Sequence, residues 1–230
     1  LELSGTFGLS PSDMHILMAG GLPGEMILPG DVEDDVAGAK AAAEAIRAGD
    51  IVIAVSASGS TPFVMEVARL AREKQADVIG IANNFEAPLF DHADVAICLA
   101  TPPELVAGST RMGAGTAQKV TLNIMSTLMG VLLGHVHDGM MVNLVADNEK
   151  LKKRAVRMVC DIAHVSEETA RRHLATANGA VKPAVLLALG VTSLEEANQR
   201  LRNANGHLRP FLEDLRPSPS ITRQNQVRKE

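Results

Sequence analysis

The chain has 230 residues, of which 46% are hydrophobic and 2% aromatic, and its formal net charge at pH 7 is −5. A chain of this length can form one or two domains with a substantial core. The negative charge argues against a nucleic-acid-binding surface, and neither a membrane-spanning apolar run nor a signal peptide is visible. Cys98 and Cys160 lie in apolar contexts, which is typical of buried free thiols in a reducing compartment. We therefore expect a cytoplasmic protein.

Strands and helices alternate through the first half of the sequence. Short apolar runs predict four strands, over residues 15–19, 51–55, 78–82 and 95–99. Helical spacing predicts a first helix over 34–47, a second over 63–74, and a strongly apolar helix over 114–133 that we expect to be central and buried. This alternation is typical of an α/β fold with a doubly wound parallel sheet.

The second half of the sequence is helical in pattern. Predicted helices cover residues 148–162, 166–177, 181–189 and 193–203. We expect an α/β domain over 1–147, a small helical domain over 148–215 and a polar, disordered tail over 216–230. Because the chain opens on Leu1 rather than on methionine, we also expect its N-terminal part to be missing.

The loop after the second predicted strand has the composition of an anion site. The hydroxyls of Ser56, Ser58, Ser60 and Thr61, with Gly59 between them, lie between a buried strand and the start of a helix. Free N–H groups and the helix dipole favour a bound phosphate at such a place. The alternative is plain capping of the helix, since Thr61 is a good cap and Pro62 suits the first helical position.

The loops 56–61, 83–84 and 101–104 each follow a predicted strand. In a parallel sheet these loops lie at one edge, where ligands bind. A second candidate site is the loop that opens the helix over 114–133. Ser109 and Thr110 suit either capping or binding, and Arg111 either an ion pair or a ligand contact.

Residues 103–119 resemble the signature P-E-x-x-x-G-S-[ST]-R-[LM]-K-A-G-T-A-Q-K. This signature belongs to the N-acetylmuramic acid 6-phosphate etherases and their glucokinase-regulator relatives, which are built on the sugar isomerase (SIS) domain. Residues 57–62 and 143–151 are also similar to family segments, and the resemblance covers residues 2–215. It implies a flavodoxin-like three-layer αβα domain with a small helical C-terminal region.

The resemblance implies a lyase that cleaves a D-lactyl ether to give N-acetylglucosamine 6-phosphate and D-lactate. Such an enzyme serves amino-sugar catabolism and peptidoglycan recycling, works as a homodimer and needs neither metal nor cofactor. Its two carboxyl groups match Glu33, as the base, and Glu2, as the acid. The residues implied in binding the sugar phosphate are Ser56, Ser58, Gly59, Ser60, Thr61, Glu104, Ser109, Thr110 and Arg111.

The chain departs from the family pattern at several positions. Ser60 stands where arginine is usual, Gly113 where lysine is usual, and residues 83–85 read N-N-F instead of C-N-P. The family's G-A-G-T-S-G-R-L-G loop would lie upstream of Glu2 and is not found in the sequence. Two alternatives therefore stay open: an aldose–ketose phosphosugar isomerase and a non-catalytic phosphosugar sensor.

Overall fold

The computed structural model describes residues 3, 8–22, 30–144, 146 and 148–215. The helices of these residues are α1 (Val36–Ala43), α2 (Pro62–Glu73), α3 (Gly113–Leu132), α4 (Glu149–Ala163), α5 (Glu167–Thr176), α6 (Val181–Ala188), α7 (Leu194–Asn203) and α8 (Arg209–Leu215). The strands are β1 (Ile51–Val55), β2 (Asp77–Ala82), β3 (Val95–Cys98), β4 (Val136–His137) and β5 (Met140–Met141). Short 3-10 helices cover Pro11–Asp13, Val32–Asp34 and Pro88–His92.

Strands β1, β2 and β3 form a parallel sheet in that order. Ile53 pairs with Ile79, which pairs in turn with Val95. Helices connect the strands because parallel neighbours need a crossover. The predicted fold class is confirmed: a parallel α/β sheet flanked by helices and followed by a helical C-terminal region.

The strand predicted over residues 15–19 is wrong, because these residues are not paired into a sheet. Leu17 and Ala19 do pack against the core beside the sheet, so the apolar run correctly indicates burial. His15 and Leu17 line an open groove of about 840 Å³ together with residues of β1. The segment thus contributes apolar side chains beside the sheet, while its backbone forms no strand.

Helices α1 and α2 cover one face of the sheet. Phe63, Val67 and Ala71 of α2 pack with Ala39 of α1 and with Val78 of β2. Burying this apolar face contributes about 25 cal/mol per Å² of surface removed from water.

The opposite face of the sheet carries exposed apolar side chains. Ile51 is 66% exposed, Ile53 45% and Val95 52%. Successive side chains of a strand point to opposite faces, so these three share one face by register.

Helix α3 is not the buried helix that the sequence predicts. Its residues Val120, Ile124, Leu128 and Leu132 are exposed, at 47%, 55%, 57% and 76%. Their spacing of four residues places them in one stripe along the helix. The pattern correctly predicted a helix with an apolar side, but a sequence pattern does not show whether the same chain covers that side.

Helices α4 to α7 confirm the four helices predicted for the second half of the chain, and α8 follows them. The N-termini of α4, α5 and α7 are capped by side chains of residue types that favour this position. The side chains of Asn148, Ser166 and Ser193 accept backbone N–H groups of the first turns. Val159, Ala184, Val185 and Leu186 lie at the centre of a separate core among these helices. The predicted disordered tail, residues 216–230, lies outside the described residues.

The described residues fall into two compact units. One contains 12–125, with the parallel sheet, and the other contains 126–215 together with 8–11. The domain boundary predicted at residue 147 stays a prediction. Cys98 and Cys160 are free thiols, each partly buried. In the described part of the chain, no helix has the length and apolarity needed to cross a membrane.

Candidate functional site

The loops after the three parallel strands meet at the carboxyl edge of the sheet. The N–H of Ser56 donates to the carbonyl of Ile81 at 3.0 Å, and the N–H of Asn83 donates to the carbonyl of Ala57 at 3.0 Å. The N–H of Leu99 donates to the carbonyl of Ala82 at 2.8 Å. The prediction that these loops share one edge is therefore confirmed.

The buried hydroxyl of Ser56 lies at the centre of the loop between β1 and α2, residues 56–61, which we call the serine loop. It accepts the N–H of Gly59 at 3.0 Å and lies 2.9 Å from the hydroxyl of Thr61. The exposed Ser58 hydroxyl accepts both the N–H and the hydroxyl of Ser60, each at 3.1 Å. The loop is thus held by its own side chains, while Ser58 and Ser60 are exposed residues.

Gly59 is the residue that lets this loop turn tightly. Its φ is +71°, a conformation that L-residues rarely adopt. A Cβ on Gly59 would lie 2.3 Å from the Cβ of Ala87, so there is no room for a side chain. The serine loop therefore requires glycine at this position both for its backbone conformation and for its packing.

The start of α2 has no side-chain cap. Thr61 occupies the capping position, but its hydroxyl is turned to Ser56 and caps no N–H group. Plain capping by Thr61 is therefore wrong, although Pro62 does lie in the first turn as expected. Because the first turn of a helix has N–H groups without intrahelical partners, this helix start is open to an anion.

Glu104 has a structural role that the sequence does not reveal. Its carboxylate accepts the N–H of Met112 at 3.0 Å and the N–H of Ala114 at 3.3 Å. A carboxylate is favoured at a helix N-terminus by the helix dipole. These bonds make Glu104 the residue that fixes the start of α3, and its role in binding a ligand stays a prediction.

The loop before α3 presents Ser109, Thr110 and Arg111. The N–H of Ser109 donates to Val106 at 3.0 Å, and the carbonyl of Thr110 accepts the N–H of Gly115 at 2.8 Å. Arg111 is exposed, and none of the residues that the structure describes forms an ion pair with it. The ion-pair alternative for Arg111 is therefore not found, and its charge is available to a ligand.

Glu33 lies at the same end of the sheet as the serine loop. The Lys40 ammonium of α1 lies 3.9 Å from the Glu66 carboxylate, and Lys74, just after α2, donates to the carbonyl of Ala43 at 2.6 Å. The two helices therefore run in the same direction. Glu33 is exposed in the 3-10 helix that leads into α1, so it lies at the end where α2 begins. Glu2 lies outside the described residues.

Two amides that the sequence reasoning gave no role connect the loops. The Asn84 amide donates to the carbonyl of Ser58 at 3.1 Å, and the Gln118 amide donates to the Asn83 side-chain oxygen at 2.9 Å. The only sequence signal for Asn84 was its position after a strand. Gln118 stands out only as a polar residue among small ones.

Comparisons with known proteins match this chain to the SIS domain over residues 29–131. The N-acetylmuramic acid 6-phosphate etherase of Geobacillus thermodenitrificans is 40% identical over 93% of this chain and 73% of the relative. The protein of the same name from Deinococcus radiodurans is 41% identical, over 92% of this chain and 70% of the relative. The protein of this name from Pectobacterium atrosepticum is 39% identical over 92% of this chain and 70% of the relative.

These similarities extend far beyond the signature at 103–119 and cover both the α/β sheet and the C-terminal helices. The family resemblance of the sequence is confirmed. The chain belongs to the N-acetylmuramic acid 6-phosphate etherase family of SIS-domain proteins.

Proposed function

We propose that the protein is a carbon–oxygen lyase that cleaves the D-lactyl ether of N-acetylmuramic acid 6-phosphate, giving N-acetylglucosamine 6-phosphate and D-lactate. The observation that carries this proposal is the serine loop, which joins open hydroxyls to an uncapped helix start at the carboxyl edge of a parallel sheet. Three relatives with 40 to 41% identity are named for this activity. The reaction would serve the recycling of peptidoglycan amino sugars.

In this proposal the sugar phosphate binds at the serine loop. The first-turn N–H groups of α2 and the hydroxyls of Ser58 and Ser60 donate to the phosphate oxygens. Ser56 and Gly59 shape the loop from inside rather than contacting the ligand. Ser109, Thr110 and the unpaired Arg111 bind the remaining polar groups of the substrate, and a guanidinium suits a carboxylate such as that of the lactyl group.

Two carboxyl groups carry out the chemistry that we propose. Glu33 removes the proton at C2, which the C1 aldehyde of the opened sugar makes acidic. The bond between C3 and the ether oxygen then breaks, and Glu2 donates a proton to the departing lactate. Water adds to the resulting double bond, with its hydroxyl at C3 and a proton at C2, which completes a net hydrolysis of the ether.

Release of D-lactate by the purified full chain tests the lyase. N-acetylmuramic acid 6-phosphate should give D-lactate and N-acetylglucosamine 6-phosphate in equal amounts, and Glu33→Gln should abolish release while keeping ligand binding. Interconversion of hexose phosphates without lactate would instead identify an isomerase. Absence of both activities, with thermal stabilisation by the ligand, would overturn the lyase proposal.

The phosphosugar sensor remains a second candidate because of two positions in the site. Ser60 and Gly113 both lack the cations of the family pattern, so fewer charges can hold a second anionic group. A sensor would keep its ligand-induced stabilisation in the Glu33→Gln variant and would show no turnover in either form. Turnover by the unaltered chain contradicts it.

We also propose that the chain forms a homodimer through α3. Val120, Ile124, Leu128 and Leu132 form an exposed apolar stripe, and exposed patches of this kind mark protein–protein contacts. A second copy offers the same stripe, as a two-fold interface requires. Ile124→Glu should shift the chain to monomer in sedimentation, while the exposed Lys119→Glu should not. If Ile124→Glu and Lys119→Glu both sediment with the mass of the unaltered chain, this interface is contradicted.

A further inference from the structure

The side chain of Asn83 bonds at both of its ends. Its amide nitrogen donates to the carbonyl of Leu99 at 3.0 Å and lies 3.4 Å from the hydroxyl of Thr101. Its oxygen accepts the amide of Gln118, on α3, at 2.9 Å. Its backbone N–H donates to Ala57, directly before Ser58 of the serine loop. One residue thus contacts the serine loop, the end of β3 and α3.

Only an amide satisfies these partners together. Leu99 offers a carbonyl and needs a donor, whereas Gln118 donates and needs an acceptor. Aspartate has no donor for Leu99 and would place a negative charge against its carbonyl. Asn83 is partly buried, so an unpaired amide or carbonyl here would cost free energy.

We propose that Asn83 is a positioning residue that sets the place of the loop before α3, with Arg111, relative to the serine loop. Glu104 holds the N-terminus of α3, and the bond from Gln118 to Asn83 holds its second turn. The two segments are therefore joined through a single residue, whose backbone N–H bonds the serine loop and whose side chain bonds α3. This inference rests on the proposed function, because it assigns the two segments to one site.

The bonds of the Asn83 side chain to Leu99 and from Gln118, which we call the bridge, depend on a residue at which this chain departs from the family pattern. The resemblance places cysteine at this position, and a thiol is too short and too weak a hydrogen-bonding group to replace both ends of the amide. Asn83→Cys introduces the residue that the resemblance places at this position, and it is therefore the variant chosen for the test.

The test is a double-mutant cycle of Asn83→Cys and Gln118→Met. Asn83→Cys removes the amide that bonds Leu99 and Gln118, and Gln118→Met removes the amide that donates to Asn83. Each single variant should raise KM for N-acetylmuramic acid 6-phosphate about fivefold, the equivalent of one neutral hydrogen bond, and change kcat less than about twofold. The double variant should show no larger KM than the single ones. Asn83→Asp, which keeps only the acceptor, should not restore the original KM.

Two results would overturn the proposal. If both single variants lower Tm but leave KM unchanged, the bridge serves stability alone. If their effects on KM multiply, the two side chains act independently. Should the unaltered chain release no lactate, the proposed function fails, and the same cycle is then measured through the concentration of N-acetylglucosamine 6-phosphate that gives half of the thermal shift.

Discussion

The hydroxyl of Ser56 lies 2.9 Å from the hydroxyl of Thr61, so the first and last residues of the serine loop are joined directly. The same Ser56 oxygen accepts the N–H of Gly59 in the middle of the loop. The Thr61 hydroxyl is thereby turned away from the N–H groups of the first turn, although Thr61 itself occupies the capping position. One bond between two side chains both shapes the loop and leaves the helix start open.

Replacing Ser56 by alanine should lower both stability and binding. The substitution leaves the buried N–H of Gly59 without its acceptor, which should cost about 1–2 kcal/mol of unfolding free energy. It also frees Thr61 to cap α2, so KM should rise as well. Thermal unfolding and lactate-release kinetics measure the two effects. The exposed Ser60→Ala serves as the control for stability and should leave Tm nearly unchanged.

Gly59→Ala should be far more damaging than an alanine at another glycine with positive φ. The new Cβ of residue 59 would meet the Cβ of Ala87 at 2.3 Å, so we expect a loss of about 3 kcal/mol or more. Gly49 has a φ of +84° but no atom within 4 Å of its Cβ position, so Gly49→Ala should cost only about 1 kcal/mol. Equal unfolding free energies for the two variants would contradict the close packing of Gly59.

Arg111→Gln should weaken substrate binding without lowering Tm. The guanidinium has no ion-pair partner among the described residues, so its removal breaks no ion pair there. Loss of a charged hydrogen bond to substrate should raise KM about tenfold or more. Lys119→Gln removes an exposed cation of α3 and should leave KM within about twofold. An unchanged KM in Arg111→Gln would show that Arg111 does not bind the substrate.

Gly113→Lys restores the cation of the family pattern and should tighten binding. The Cβ position of residue 113 has no atom closer than 3.8 Å, so a Cβ fits there without a clash. An ammonium group at the start of α3, two residues after Arg111, should lower KM about fivefold for a substrate that carries both a phosphate and a carboxylate. Gly113→Met has a similar length without charge and provides the comparison. If both variants have the same KM, charge at this position does not contribute.

The Glu66 carboxylate should stabilise the α/β unit only above acidic pH. Hydrogen bonds from Arg69, at 2.8 Å to each oxygen, hold the pKa of Glu66 below its usual value although the side chain is only 14% exposed. A lowered carboxyl pKa stabilises the fold above the unfolded value and loses that effect as pH falls through the folded value. Glu66→Gln should therefore lower Tm by about 2 °C at pH 7, a gap that closes below about pH 4.

The control for this pH dependence is Glu86→Gln, which removes an exposed carboxylate with no ion pair among the described residues. Its Tm should follow the unaltered chain at every pH. A gap between Glu66→Gln and the unaltered chain that persisted in acid would assign the effect to packing of the side chain rather than to its charge.

The local parts of the fold were predictable because their signals are local. The strand, serine loop and helix over 51–73 follow from a β-branched run, small hydroxyl residues and helical spacing within about twenty positions. The helix caps at Ser166 and Ser193 follow in the same way. The prediction that the three loops share one sheet edge needed only the rule that parallel strands end on one side.

What the sequence could not predict depends on partners distant along the chain. The bridge from Asn83 to Gln118 joins residues 35 positions apart, and the role of Glu104 depends on where the backbone returns at Met112. Whether α3 is covered, or residues 15–19 reach a neighbouring strand, is decided by tertiary geometry and leaves no periodic signal. Local pattern therefore predicted a candidate site, and only the structure showed which hydrogen bonds join its loops.

The exposed isoleucines of the sheet have a consequence for handling the protein. Ile51 and Ile53 present exposed apolar surface through which two copies can associate. Attraction between such surfaces weakens on cooling, because the hydrophobic effect is largely entropic near room temperature. Refolding yield should therefore fall as protein concentration rises, and a dilute, cold solution is the condition in which the monodisperse chain is easiest to keep.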